Sequence, residues 1–86
     1  MKDADALATI REWGAAGRYF LEPHARERAE ERGVKPRDVR HALANAAAVA
    51  WQTDHQRWKV ESTDLDGDAL TLAVVIEATL IVVTVF

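Results

Sequence analysis

The sequence predicts an α+β domain, with two to three N-terminal helices packed on one face of a four-stranded antiparallel β-meander. Three observations carry that expectation. Apolar residues recur at three- and four-residue spacing up to Ala46, then give way to β-branched and aromatic runs separated by short polar breaks. Those breaks are far shorter than the dozen or so residues a parallel crossover needs, so consecutive strands should be antiparallel. With 86 residues, 49% of them apolar, the chain has material for one thin core and no second domain. Residues 1–86 are therefore read as a single domain, an N-terminal helix in 1–17 preceding a core of 18–86.

The elements follow in order. Residues 5–13 place Ala6, Ile10 and Trp13 on one helical stripe, acids stand near its start, and Gly14 and Gly17 are expected to end it. Residues 18–22 form a short apolar passage, read as extended, that leads into Pro23, a residue suited to the first position of a helix. Helix two then runs to Arg32, with Gly33 at the C′ position. Pro36 opens helix three, Asp38 lies in its first turn, Val39, Leu43 and Ala46 form its core stripe, and Asn45 is near its end. Four strands are expected at residues 47–53, 57–63, 69–77 and 79–86. Residues 54–56 and the Asp- and Gly-rich 64–68 make the first two turns, and Ala78-Thr79 the third. On the last two strands Leu72, Val74 and Ile76 alternate with Ala73 and Val75, and Ile81, Val83 and Val85 with Val82 and Thr84. Both faces there are apolar, so the second face calls for cover from the first helix or another chain, and a homodimer or an obligate partner is expected.

Composition narrows the function. Without cysteine there is no disulfide, thiolate metal site or thiol catalysis. The apolar runs 46–51, 72–76 and 80–83 fall far short of the roughly 20 residues that span a bilayer, and the acidic start lacks the character of a signal peptide, so a cytoplasmic protein with no membrane partner is expected. A net charge of −3 argues against generic polyanion binding, and no DNA partner is predicted. The charge is uneven, however. Residues 1–46 carry nine Lys+Arg against eight Asp+Glu, or +1, and residues 47–86 two against six, or −4. A phosphate site belongs between Arg18 and Arg40.

Chemistry concentrates on helix two. At about 100° per residue His24, Arg28 and Arg32 fall on one stripe, an imidazole that titrates near neutrality beside two guanidiniums able to grip phosphate. A solvated helix face is the plain alternative. On the second strand Arg57, Lys59 and Glu61 alternate onto one face, which could receive phosphate or simply meet solvent. Trp51 and Trp58 flank the first hairpin, where packing or base stacking would suit them. His41 and His55 have no evident partner. The three histidines lack zinc-site spacing, and Asp64, Asp66 and Asp68 read as a turn, since Val75 stands where a calcium loop needs Glu; neither metal nor cofactor is expected.

The ordered set His24-Ala25, Arg28, Arg32-Gly33-Val34, Asp38-Val39, Leu43, Arg57-Trp58-Lys59-Val60 and the closing Ile81 to Phe86 resembles domain of unknown function family 4258, over about residues 20–86. That family looks like a branch of the barnase, EndoU, colicin and RelE superfamily of small ribonuclease toxins. The resemblance implies a RelE- or barnase-like fold and metal-independent RNA cleavage in a toxin–antitoxin system, with RNA and an antitoxin protein as partners. It implies catalytic roles for His24 as acid/base, Arg28 as phosphate ligand, Arg57 or Lys59 as sheet cation and Thr84 as the polar residue of the last strand; Lys59 is read as the catalytic one of the pair, with Arg32 and Arg57 binding RNA phosphates. The second proton carrier is unassigned between Glu61 and His55. A non-catalytic, dimeric or partner-binding module that keeps the fold is the alternative from another class.

Overall fold

The computed structural model describes residues 1–86. Its elements are α1 (Asp3–Ala15), β1 (Tyr19–Leu21), α2 (Pro23–Glu31), α3 (Pro36–Ala44), β2 (Ala48–Gln52), β3 (Arg57–Thr63), β4 (Ala69–Ile76) and β5 (Leu80–Val85), with a short 3₁₀ turn at Thr53–His55. The fold is α+β, as expected, but the sheet has five strands and is mixed, not four and purely antiparallel. Its order is β1-β5-β4-β3-β2. The meander from β2 to β5 is antiparallel, and β1 adds to β5 in parallel, with Tyr19 opposite Leu80 and Leu21 opposite Val82. Three residues are too few to show a period. What recruits them is β5 itself, an apolar strand that would otherwise leave its whole outer edge bare.

Two helix ends follow the expected chemistry. Gly17 and Gly33 take positive φ, 74° and 68°, after α1 and α2. Each is the C′ residue of a Schellman closure, in which the Arg18 and Val34 N–H groups reach the Trp13 and Ala29 carbonyls. Gly14, expected to end α1, lies inside it and is buried. A Cβ there would stand 2.6 Å from Leu43 Cβ and 2.9 Å from Ala44 N, so its role is to let α1 close on α3. α3 is secured at both ends. The Asp38 carboxylate accepts from the Lys35 and Leu65 N–H groups, which holds its pKa below the ordinary 3.8, and the buried Ser62 hydroxyl donates to the Ala42 carbonyl at 2.7 Å.

One core results. Ala6 and Ile10 of α1, Ala25 and Ala29 of α2, and Val39 and Leu43 of α3 cluster with Val60, Leu72, Val74, Leu80, Val82 and Val85 of the sheet. All three helices thus serve the same sheet face, and α1 does not cover the second one as envisaged. On that outer face Val75 and Ile81 are half-buried and Phe20, opposite Ile81, is 49% exposed. No helix is long and apolar enough to cross a membrane.

Candidate functional site

The site is built where β1 stops. Beyond Leu21 the chain turns at Glu22, whose N–H bonds the Val82 carbonyl, and Pro23 starts α2 immediately. From there α2, not a strand, runs beside the remaining length of β5 and buries Ala25 and Ala29 against the core. The flank that carries His24 and Arg28 meets the end of β5. His24 Nε2 lies 3.3 Å from Thr84 Oγ1, the donor being set by the imidazole tautomer. Arg28 Nε donates to the Val85 carbonyl at 3.3 Å, satisfying an edge acceptor that β1 is too short to reach, and Arg28 Nη1 pairs with Glu31 at 3.2 Å.

A β-bulge brings Thr84 to this point. Ala73 pairs with Thr84 and Val74 with Val82, so Val83 is an extra, unpaired residue. The bulge overturns the expected alternation of Ile81, Val83 and Val85 on one face. Leu80, Val82 and Val85 serve the core, and Ile81 and Thr84 the outer face. Without the extra residue Thr84 would lie opposite Leu72 and bury its hydroxyl among aliphatic chains.

Across the outer face one row joins Ala50, Lys59, Ala73 and Thr84, which continues to His24. Strands are about 4.8 Å apart, which sets the Lys59 backbone about 10 Å from that of Thr84. Ala73 between them is fully buried and small, a floor over which the long Lys59 chain can lean. Arg57 lies on the same face one row away. Its Nε donates to Gln52 Oε1 at 2.8 Å, and its guanidinium carbon is 5.5 Å from the centre of the Phe86 ring. Glu61 shares this face, exposed, two residues beyond Lys59.

The structure thus sets His24 against Thr84 and Arg28 against the neighbouring Val85 carbonyl at the end of β5, with Lys59 and Arg57 across the same sheet face. Arg32 is not part of that cluster. It is the exposed C-cap of α2, and its side chain makes no hydrogen bond or ion pair. His55 occupies the exposed β2–β3 turn, and His41 pairs with Asn45 on α3. Trp51 and Trp58 contact each other edge to face with centroids 5.1 Å apart on the core side, a packing contact within the hairpin.

The cation cluster of residues 18–40 is partly spent on backbone. Arg18 donates to the Ala78 carbonyl and stacks on Trp13, and Arg40 donates to the Ala15 carbonyl at the end of α1. Arg11 likewise reaches the Ala46 carbonyl. Asp64, Asp66 and Asp68 bring carboxylate oxygens within 4.8 Å of one another, and Asp64 Oδ1 accepts from the Asp66 and Asp68 N–H groups, the bonding of an Asx-type turn with Gly67 at φ 87°. Charge spacing in the sequence announces neither the bulge nor the Arg28–Val85 tie. Both depend on where strands stop, and the doubled valine before Thr84 is the only local trace of the bulge.

Chemically, the row offers an exposed imidazole that can move a proton, a hydroxyl that orients it, and flexible cations over a small apolar floor. This set suits a phosphate group in transit better than a deeply enclosed ligand. No family model, curated protein or solved structure matches the chain.

Proposed function

We propose that this chain is a small, metal-independent endoribonuclease of the toxin type, acting at the His24–Thr84 end of the sheet. The observation that carries the reading is the 3.3 Å approach of His24 Nε2 to Thr84 Oγ1, in the same outer-face row as Lys59. The RelE- or barnase-like reading draws on the three helices and the antiparallel β2–β5 part of the sheet, and the parallel β1 strand is an addition to it. In this mechanism a general base takes the 2′-OH proton, the 2′-oxygen bonds to the adjacent phosphorus, and the bond to the 5′-oxygen breaks as that oxygen takes a proton. His24 is one proton carrier, oriented by Thr84. Lys59 and Arg28 Nη2, the one guanidinium nitrogen engaged by neither Val85 nor Glu31, stabilise the charge on the phosphorane oxygens. Arg57 and Arg32 contact flanking phosphates. Glu61 is the better second carrier, since it shares the outer face with Lys59 and His55 stands off in the hairpin turn. An antitoxin protein would oppose the activity by covering this face.

A second reading, a non-catalytic binding module, draws on the same face: Phe20 and half-buried Val75 and Ile81 form an apolar strip beside the row. One experiment separates the two. Purified protein incubated with total RNA in EDTA degrades it, and His24→Ala does not; intact RNA with the wild type, or equal degradation by His24→Ala, discards the nuclease reading.

A further inference from the structure

The two edges of the sheet differ. Beside β2 the depression lined by Ala48, Val49, Ala50, Lys59 and Glu61 measures 130 Å³. Beside β1 a groove of 330 Å³ opens between the strand, α2 and the start of α3, walled by Tyr19, Leu21, Ala29, Val34 and Val39. Tyr19 and Leu21 also carry the unused backbone of that edge. The Arg18 carbonyl and the Glu22 N–H are bonded to β5. By the two-residue period of a strand, Phe20 faces β5 as well, and the N–H and C=O groups of Tyr19 and Leu21 point outward. The residues that would bond an added strand are thus the ones whose side chains wall the groove.

The rim is weakly cationic. Arg26 and Glu30 lie on the α2 wall, and among the exposed charges next to lining residues Lys35 and Arg37 flank Pro36 and Glu22 follows Leu21, so these five are three cations to two acids. The nearby Asp38 carboxylate is committed to the Lys35 and Leu65 N–H groups. At about 100° per residue Arg26 and Glu30 stand on the opposite side of α2 from His24 and Arg28, so the groove is separate from the row on the outer face.

We infer that the β1 edge receives an extended segment of a partner protein, which adds a sixth strand, sets two apolar side chains at alternate positions into the groove, and carries acidic residues on either side of them. The inference does not depend on RNA cleavage. Residues opposite Tyr19 and Leu21 point into the groove, and the one between them meets Phe20, whose ring is 49% exposed on the other face.

The test uses the full chain, isotope-labelled for amide hydrogen exchange, and a capped heptapeptide, Glu-Glu-Val-Thr-Val-Glu-Glu, beside the same peptide with lysine for glutamate. Saturation with the acidic peptide slows exchange at the Tyr19 and Leu21 amides by about tenfold or more and leaves Phe20, already bonded to β5, unchanged. Binding is lost in Leu21→Pro, which removes an outward N–H and no native bond, and in Val34→Lys, which puts charge in the groove; each variant keeps a cooperative melt. The lysine peptide binds about tenfold more weakly at low salt. Unchanged exchange at Tyr19 and Leu21, changes centred on β2, or equal binding of the two peptides overturns the inference. So does concentration-dependent protection of those two amides without peptide, which assigns the edge to a second copy of the chain.

Discussion

Gly14→Ala tests how the helical layer is closed. An ideal Cβ at this position stands 2.6 Å from Leu43 Cβ, 2.9 Å from Ala44 N and 2.9 Å from the Leu43 carbonyl carbon. Carbon atoms rest comfortably at about 3.5–4.0 Å, so the contact is short by about 1 Å. Neither Cβ can be moved by a rotamer change, and the other two atoms are backbone, so relief requires α1 and α3 to separate and loosen Ile10 and Leu43, both fully buried. Overpacking of this kind costs about 1–3 kcal/mol, against which alanine returns at most about 1 kcal/mol of helix propensity. A net loss of about 1–2 kcal/mol remains, which in a domain of this size lowers the melting midpoint by roughly 5–15 °C. Thermal melts and urea titrations at one protein concentration measure it, the urea slope staying unchanged if the native state stays compact. A Gly14→Ala protein as stable as the wild type, or more so, would refute the close approach and return Gly14 to the role of a simple helix terminator.

Three further outcomes follow from named contacts. Thr84→Val keeps shape but removes the hydroxyl next to His24; stability changes by under about 1 kcal/mol and RNA cleavage falls roughly fivefold with an altered pH–rate profile, whereas an unchanged profile detaches Thr84 from His24. Ser62→Ala leaves the buried Ala42 carbonyl without its hydroxyl donor and destabilises by about 1–2 kcal/mol in urea titration; no change would show that carbonyl satisfied elsewhere. The folded-state pKa of Asp38 is depressed, so the carboxylate contributes stability above its unfolded value of 3.8 and loses that contribution as pH falls through the lower folded value. The midpoint gap between wild type and Asp38→Asn is therefore full at pH 7 and closes below about pH 4; a gap independent of pH would contradict the account.

The helices were legible because their signals are local. Pro23 and Pro36 open α2 and α3 where their fixed φ suits the first turn, and Gly17 and Gly33 close α1 and α2. Strands β2 to β5 were legible from composition and from turns too short for crossovers. Gly14 was misread because a glycine near a helix end looks the same whether it caps the helix or admits a neighbour, and only α3 distinguishes the two. Residues 18–22 read as extended, but their place in the sheet as β1 was missed because three residues carry no period and their partner lies some sixty positions away. The alternation along β5 failed at Val83, since a bulge is fixed by the partner strand's register as well as by its own residues. At the site, the helical stripe foretold the adjacency of His24 and Arg28, but not that Arg28 ties down an edge carbonyl or that Arg32 falls on the cap. The arginines of residues 18–40 look alike by charge; which carbonyls lie within reach separates Arg18 and Arg40 from Arg26 and Arg37.

The central claim, that His24 moves a proton while an RNA 2′-oxygen displaces the 5′-oxygen, is tested most directly by the chemistry of the cut ends. A defined single-stranded RNA incubated with the protein in EDTA and read by mass spectrometry gives fragments ending in a 2′,3′-cyclic phosphate or its 3′-phosphate hydrolysis product, paired with 5′-hydroxyl ends, and His24→Ala gives none. Fragments with 5′-phosphate ends, the same products at the same rate from His24→Ala, or RNA left uncut contradict it.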